Sequence, residues 1–174
     1  PVTGSALSAL NLGEGNPLSA SYGKRLYTLH ADQNQVFKHE PKENGFDEGT
    51  PWIKDGTAIK NGIALTVDGS IYVLESSGNV FEFRKGVRAN FSVKNIDPLL
   101  TSPTRIWTDE NSSYLYILEP TTKRLAVFAK KDGLLKVQYT SPDFTDLKDF
   151  KIDEGAKTAY LLDRESVFSI PLTQ

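Results

Sequence analysis

Several features that many proteins rely on are missing from this 174-residue chain. It has no cysteine, which excludes disulfides, thiolate metal sites and a cysteine nucleophile. No run approaches the ~18 apolar residues of a membrane helix, so we expect this segment not to insert into a membrane. Lys and Arg (20) do not outnumber Asp and Glu (22), which argues against nucleic acid as a partner. No segment keeps a helical apolar period over three turns, so no long helix is expected.

Methionine is also absent and the chain begins at Pro1, so we expect a processed or partial chain. No signal peptide is recognisable, and the sequence leaves the compartment open. What is present, 39% hydrophobic and 24% charged residues, is typical of a folded domain rather than of a disordered one. We therefore expect a single domain over residues 1–174.

The chain repeats a short apolar segment that contains a tyrosine. Intervals of 45, 44 and 44 residues separate the four tyrosines, Tyr27, Tyr72, Tyr116 and Tyr160. A polar turn and a second apolar run follow each segment. An earlier apolar run precedes the last three segments and ends in an aspartate, at Asp68, Asp109 and Asp153. β-branched and aromatic residues fill these runs, and Gly, Pro, Asp and Asn fill the gaps, which predicts short strands joined by turns.

Units of about 44 residues with four short strands are typical of the blades of a β-propeller. Such a blade cannot bury both of its faces alone and has to stack on its neighbours. We therefore predict an all-β fold, a β-propeller of four-stranded antiparallel blades with four blades in this chain.

The chain ends on the third strand of a blade, within Ser166–Leu172, so the last blade lacks a fourth strand of its own. We expect the N-terminal stretch Ser5–Leu12 to supply that strand and to close the ring in a monomer. Two alternatives stay open. The first alternative is that the chain is a segment of a ring with six to eight blades, and the second is that two chains share one larger ring.

The first and last strands of the units are harder to place than the middle ones. We expect the first strand of the first blade at residues 18–22. The expected fourth strands contain Trp52–Ile53, Phe91–Val93 and Leu135–Tyr139. The last of these alternates apolar and polar side chains, as a half-buried strand does.

The third unit resembles the NHL type of propeller repeat. The matching residues are Pro103, Ile106, Asp109, Leu115–Ile117, Glu119, Arg124–Leu125, Val127–Phe128 and Gly133. The other units depart from the pattern where Arg124 stands, with Gln35, Asn79 and Ser166. The resemblance spans about residues 18–172, and the segment is similar to the C-terminal propeller of larger bacterial proteins. It implies an interaction or sensor module, because NHL-like propellers bind proteins or RNA or serve as sensor domains.

Two sets of recurrent carboxylates raise the question of a metal. Asp68, Asp109 and Asp153 end equivalent inner strands and could converge on a divalent cation at the axis. We expect instead that each one stabilises its own turn. We expect the second set, Glu75, Glu119 and Asp163, to cap the next turn or to pair with a basic residue such as Arg124.

Four residues near the channel are the candidates for partner binding: Arg105, Trp107, Lys148 and Asp149. We place them on the rim that carries the loops between blades, since Arg and Trp are enriched in interaction hot spots. The alternative is that Trp107 packs between blades and that Arg105 pairs with an acid.

The sequence gives little support for catalysis. The two histidines, His30 and His39, fit no zinc spacing, and we expect both on the surface. We predict no catalytic, cofactor-binding or metal-binding residue. The expected function is a non-catalytic interaction or sensor module that binds a protein or glycan through one face of the ring. The alternative is a propeller hydrolase or lyase with a divalent metal at the central channel.

Overall fold

The computed structural model describes residues 18–173 as a succession of four small antiparallel sheets, or blades. Blade one contains β1 (Leu18–Tyr22), β2 (Arg25–His30), β3 (Gln35–His39) and β6 (Thr50–Pro51), with a hairpin of β4 (Pro41–Lys42) and β5 (Gly45–Phe46) before its last strand. Blade two contains β7 (Gly62–Val67), β8 (Ile71–Glu75), β9 (Val80–Arg84) and β10 (Val87–Arg88).

Blade three contains β11 (Arg105–Trp107), β12 (Tyr114–Glu119), β13 (Arg124–Ala129) and β14 (Leu135–Thr140). Blade four contains β15 (Leu147–Asp153), β16 (Thr158–Asp163) and β17 (Ser166–Pro171). Within the described residues the only helical segments are two short 3-10 turns. No helix there is long and apolar enough to cross a membrane. The arrangement is a four-bladed β-propeller, which confirms the predicted all-β fold.

The repeated tyrosines occupy one register position in the second strand of every blade. Tyr116 lies opposite Trp107 of the inner strand, and Tyr160 lies opposite Lys151. The leucine two residues after each tyrosine points to the same side, because side chains alternate along a strand. The spacing of 44 or 45 residues in the sequence is therefore the spacing of equivalent positions in successive blades.

The hydrophobic core lies between the blades rather than inside one sheet. Three clusters of buried residues each join two successive blades. The first includes Leu29, Val36, Val67, Val73 and Phe83, the second Tyr72, Leu74, Ile106, Ile117 and Phe128, and the third Tyr116, Leu118, Leu125, Leu147 and Leu161. Burying a large apolar side chain contributes about 1.5–3 kcal/mol, so blade stacking is the main source of stability.

The outer strands differ from the prediction in two blades. β14 lies where the alternation predicted it, but β6 and β10 are only two residues long and begin earlier than expected. Phe91 is buried in the second cluster from a loop, not from a strand. Its apolar character reflects core packing, which a loop residue supplies as well as a strand residue does. The predicted strand Ser5–Leu12 lies outside the described residues.

Both histidines are buried, so their predicted surface position is wrong. His30 and His39 expose 7% and 1% of their surface. Each ring bonds through Nε2 to the hydroxyl of Thr28, at 3.0 and 2.9 Å, and His39 Nδ1 lies 3.0 Å from the Asp47 carbonyl oxygen. Because a carbonyl oxygen can only accept, His39 Nδ1–H is the donor to Asp47, and the Thr28 hydroxyl links the two rings. Sequence spacing could not reveal this bonding, because it crosses two strands and a loop.

Candidate functional site

The turns between second and third strands and the loops between blades lie at one end of the molecule, which we call the loop face. In blade three the loop of residues 95–104 runs over this face into β11. Its Leu100 is buried and packs against Gly78 in the turn of blade two. A Cβ on Gly78, whose φ is +89°, would lie 2.5 Å from the Leu100 Cβ, so this close approach favours glycine.

The buried carboxylate of Glu119 and the buried guanidinium of Arg124 hold this loop through hydrogen bonds to its backbone. Glu119 accepts hydrogen bonds from the backbone N–H groups of Thr101 and Ser102, at 2.6 and 2.9 Å. Arg124 pairs with Glu119 and also donates to the Leu99 carbonyl oxygen at 3.1 Å. The prediction that Glu119 pairs with Arg124 is confirmed, and the pair fixes the backbone of residues 99–102.

The environment of Glu119 favours its ionised form. Burial by itself raises the pKa of a carboxyl group, but hydrogen bonds from Thr122, Ser102, Thr101 and Arg124 outweigh it and lower the pKa of Glu119 to about 2. The loop is therefore held by a charged group throughout the neutral range.

Blades two and four use the equivalent carboxylates in related ways. Asp163 accepts hydrogen bonds from the N–H and the hydroxyl of Thr145, each at 2.6 Å, and from the N–H of Asp146 at 3.0 Å. The Thr145 hydroxyl is the main cause of the lowered pKa of Asp163. Glu75 accepts from the Asn79 amide at 3.2 Å. The predicted capping of the turn between second and third strands is confirmed for Glu75 and Glu119. For Asp163 the hydrogen bonds go instead to the loop before β15.

The structure separates the four candidate partner residues into two groups. Arg105 and Asp149 form an ion pair at 3.6 Å between the inner strands of blades three and four, and both side chains are more than half exposed. Lys148 pairs with Asp146 at 2.7 Å on the same face. Trp107 is half-buried against the ring of Tyr116, with the ring centres 5.5 Å apart, and also lines a recess at the other end of the inner strands.

That recess, which we call the turn recess, has a volume of about 650 Å³. Three inner strands line it, together with the turns that follow the inner strands of blades one and three. The lining comprises residues 19–24 of blade one, 65–67 of blade two and 106–111 of blade three. Tyr22 donates to the Glu110 carboxylate at 3.1 Å and so links blade one to blade three. This hydrogen bond is the main cause of the raised pKa of Tyr22.

The aspartates at the ends of the inner strands stabilise their own turns, as predicted. Asp68 accepts from Ser70 N–H at 3.0 Å, Asp109 from Asn111 N–H at 2.8 Å, and Asp153 from Ala156 N–H at 2.8 Å. Among residues 18–173 no group of three or more His, Asp or Glu side chains is placed to hold a metal ion.

Comparison with known proteins supports the fold class. No family model matches the chain, and no match is found among curated proteins. Similar solved structures include a crystal structure of a nidogen/laminin complex, with a TM-score of 0.56 and 15% identity over 76% of this chain and 51% of that chain. Another is Myxococcus xanthus glutaminyl cyclase, with a TM-score of 0.57 and 14% identity over 84% of this chain and 68% of that chain. The match thus spans about half of the nidogen/laminin chain.

Both of these structures are propellers, one from a protein complex and one from an enzyme. At such low identity the likeness defines the fold alone. The class of protein is therefore a β-propeller, and its function has to be argued from its own surface.

Proposed function

We propose that the chain is a non-catalytic binding module that recognises a protein partner through the loop face of blades three and four. The observation that carries this proposal is the exposure of Leu99. Its side chain is 72% exposed, although Glu119 and Arg124 hold the backbone of its loop in place. A large apolar side chain on a fixed backbone can be buried by a partner without the entropy cost of ordering a loop.

The charged groups of the same face complement this apolar contact. Arg105 opens the strand that follows the loop, and its ion pair with Asp149 is exposed on both sides. Exposed pairs of this kind contribute little to folding, so the guanidinium can exchange partners at low cost. Arginine is also enriched among the residues that dominate interfaces. Lys148 and Asp149 add donors and acceptors at the rim.

One solved structure and the repeat pattern support the proposal at a coarser level. One similar solved structure is a complex between two proteins, nidogen and laminin. The third unit also resembles the NHL type of repeat, and NHL-like propellers are typically interaction or sensor modules. The same unit supplies Arg105, Glu119 and Arg124.

The test selects peptides on the chain from a phage-displayed random library and measures their affinity by calorimetry. We expect Leu99→Asp and Arg105→Ala each to weaken binding of the selected peptide about tenfold or more, because each removes an exposed side chain of the proposed contact surface. Val87→Asp is the matched control, since Val87 is 52% exposed but lies on outer strand β10. Affinity that is unchanged in both loop-face variants contradicts the proposal.

A further inference from the structure

The turn recess lies at the opposite end of the molecule from the loop face, and nothing in the proposed function uses it. We propose that it is a second binding site, for a small uncharged saccharide of one or two sugar units. Its volume of about 650 Å³ lies within the usual range for small-molecule sites, roughly 300–1,000 Å³.

The walls of the recess are already fixed without a ligand. The buried hydroxyl of Thr66 donates to the Thr108 carbonyl oxygen at 3.1 Å and accepts from the Thr108 N–H at 3.2 Å. Lys130 donates to the Asp68 carboxylate at 2.6 Å and to the Asp109 carbonyl oxygen at 2.9 Å. These contacts join the inner strands of blades two and three and hold their turns, so a ligand would meet a pre-organised surface.

Several polar side chains of the recess have no partner among the described residues. The hydroxyls of Ser19 and Ser21, the ammonium group of Lys24 and the side-chain amide of Asn111 are exposed and make no hydrogen bond there. A serine hydroxyl and an asparagine amide each donate and accept. A sugar hydroxyl does the same, so these groups suit a polyhydroxylated ligand.

The other residues that line the recess restrict the chemical class of ligand that it could bind. Among the described residues that line the recess, Asp109 and Glu110 carry carboxylates and Lys24 carries the one cation, which disfavours an anionic ligand such as a phosphate. The many polar groups disfavour a wholly apolar ligand, because they would lose water without gaining partners. Trp107 supplies an apolar ring with one N–H donor, a surface that suits the mixed apolar and hydroxyl faces of a sugar.

The sequence offers a direct reporter for this site. It contains two tryptophans, so Trp52→Phe leaves Trp107 as the sole indole fluorophore. The Trp52 N–H is buried without a hydrogen-bond partner, so this substitution removes no hydrogen bond among the described residues. The probes are glucose, galactose and N-acetylglucosamine with their disaccharides cellobiose, lactose and chitobiose, and glycerol serves as the non-specific polyol.

We expect at least one sugar to change the emission of Trp107 saturably at millimolar concentration, while glycerol gives a weak linear change. Asn111→Ala and Ser21→Ala should each weaken the binding of that sugar about fivefold to tenfold, since each removes one hydrogen-bonding group. Ser169→Ala, an exposed serine on β17, is the matched control and should bind like the parent. Thermal unfolding of each variant confirms that it is folded.

The proposal is wrong if all six sugars behave like glycerol, or if both recess variants bind the active sugar as tightly as the parent. Peptide binding at the loop face is measured independently with Leu99→Asp, so the two proposals can fail separately.

Discussion

At the scale of single residues, this molecule places its buried polar groups where loops have to be held. Glu119 and Arg124 are almost inaccessible, and most of their hydrogen bonds to other residues stabilise a turn or a loop of the loop face. Arg124 also donates to Gln138 of β14. Thr28 performs a comparable task for the two buried histidines. Burial of polar atoms is costly unless they are hydrogen-bonded, which explains why these groups occur as connected sets.

The carboxylate of Glu119 makes stability depend on acid pH. Its pKa is about 2 in the folded chain against an ordinary 4.5, so the unfolded state binds the proton more tightly. The stabilisation is present above pH 4.5 and is lost as the pH falls toward 2; a shift of this size corresponds to about 3 kcal/mol. Urea unfolding from neutral to acid pH should show Glu119→Gln much less stable than the parent at neutral pH, with a gap that narrows in acid.

The control for this measurement is Glu165→Gln, which removes an exposed carboxylate on the loop face. It should follow the parent at every pH. A gap between Glu119→Gln and the parent that stays constant with pH would show that the carboxylate's charge plays no part.

At the scale of elements, residues at equivalent positions of different blades differ in burial according to whether a neighbouring blade packs against them. The leucine two residues after the tyrosine is fully buried in blade three, as Leu118, but its counterpart Leu162 exposes 38% of its surface. Tyr116 and Tyr160 differ in the same way, at 0% and 39%. Blade four covers the flank of blade three, whereas no described blade covers the flank of blade four that carries Tyr160, Leu162 and Val167.

These two leucines form a matched pair for substitution. Leu118→Ala should cost about 2–5 kcal/mol, because it leaves a cavity between blades three and four. Leu162→Ala should cost about 1 kcal/mol or less, because its side chain is already partly in water. Chemical denaturation of both variants measures the difference. Equal costs would mean that another part of the protein covers Leu162 in solution.

Much of the arrangement of strands and turns could be predicted from the sequence. The tyrosine segments, the strands around them and the capping role of Glu119 follow from residue types and spacing. The outer strands β6 and β10 did not follow, because a strand of two residues leaves too little alternation to detect. The turn recess also escaped prediction, since its residues come from three blades and share no motif.

At the scale of the whole molecule, stability is built by stacking. Blades two and three are covered on both sides, and their central strands β8, β12 and β13 are almost entirely buried. Blade four is covered on one side among the described residues, and β17 is mostly exposed. In a stacked array of this kind each unit depends on its neighbours, so local opening should begin at the less covered end.

Amide hydrogen exchange followed by mass spectrometry tests this gradient. We expect the slowest exchange in peptides from β8, β12 and β13 and faster exchange in peptides from β16 and β17, which lie in a blade covered on one side. Peptides from β2 serve as the internal comparison, since β2 also lies at an end of the stack but is buried over its last four residues. Equally slow exchange in β17 and β13 would contradict the gradient.

The sequence by itself determined the local pattern of this protein: the blade length, the middle strands, the turn-capping carboxylates and the all-β class. These depend on interactions between residues close along the chain, which residue type and spacing record directly. Only the tertiary structure decided that His30 and His39 are buried, that Trp107 lines the turn recess instead of the loop face, and that Leu99 is held exposed. These outcomes depend on contacts between strands, loops and blades that folding brings together, and such contacts leave no common spacing in the sequence.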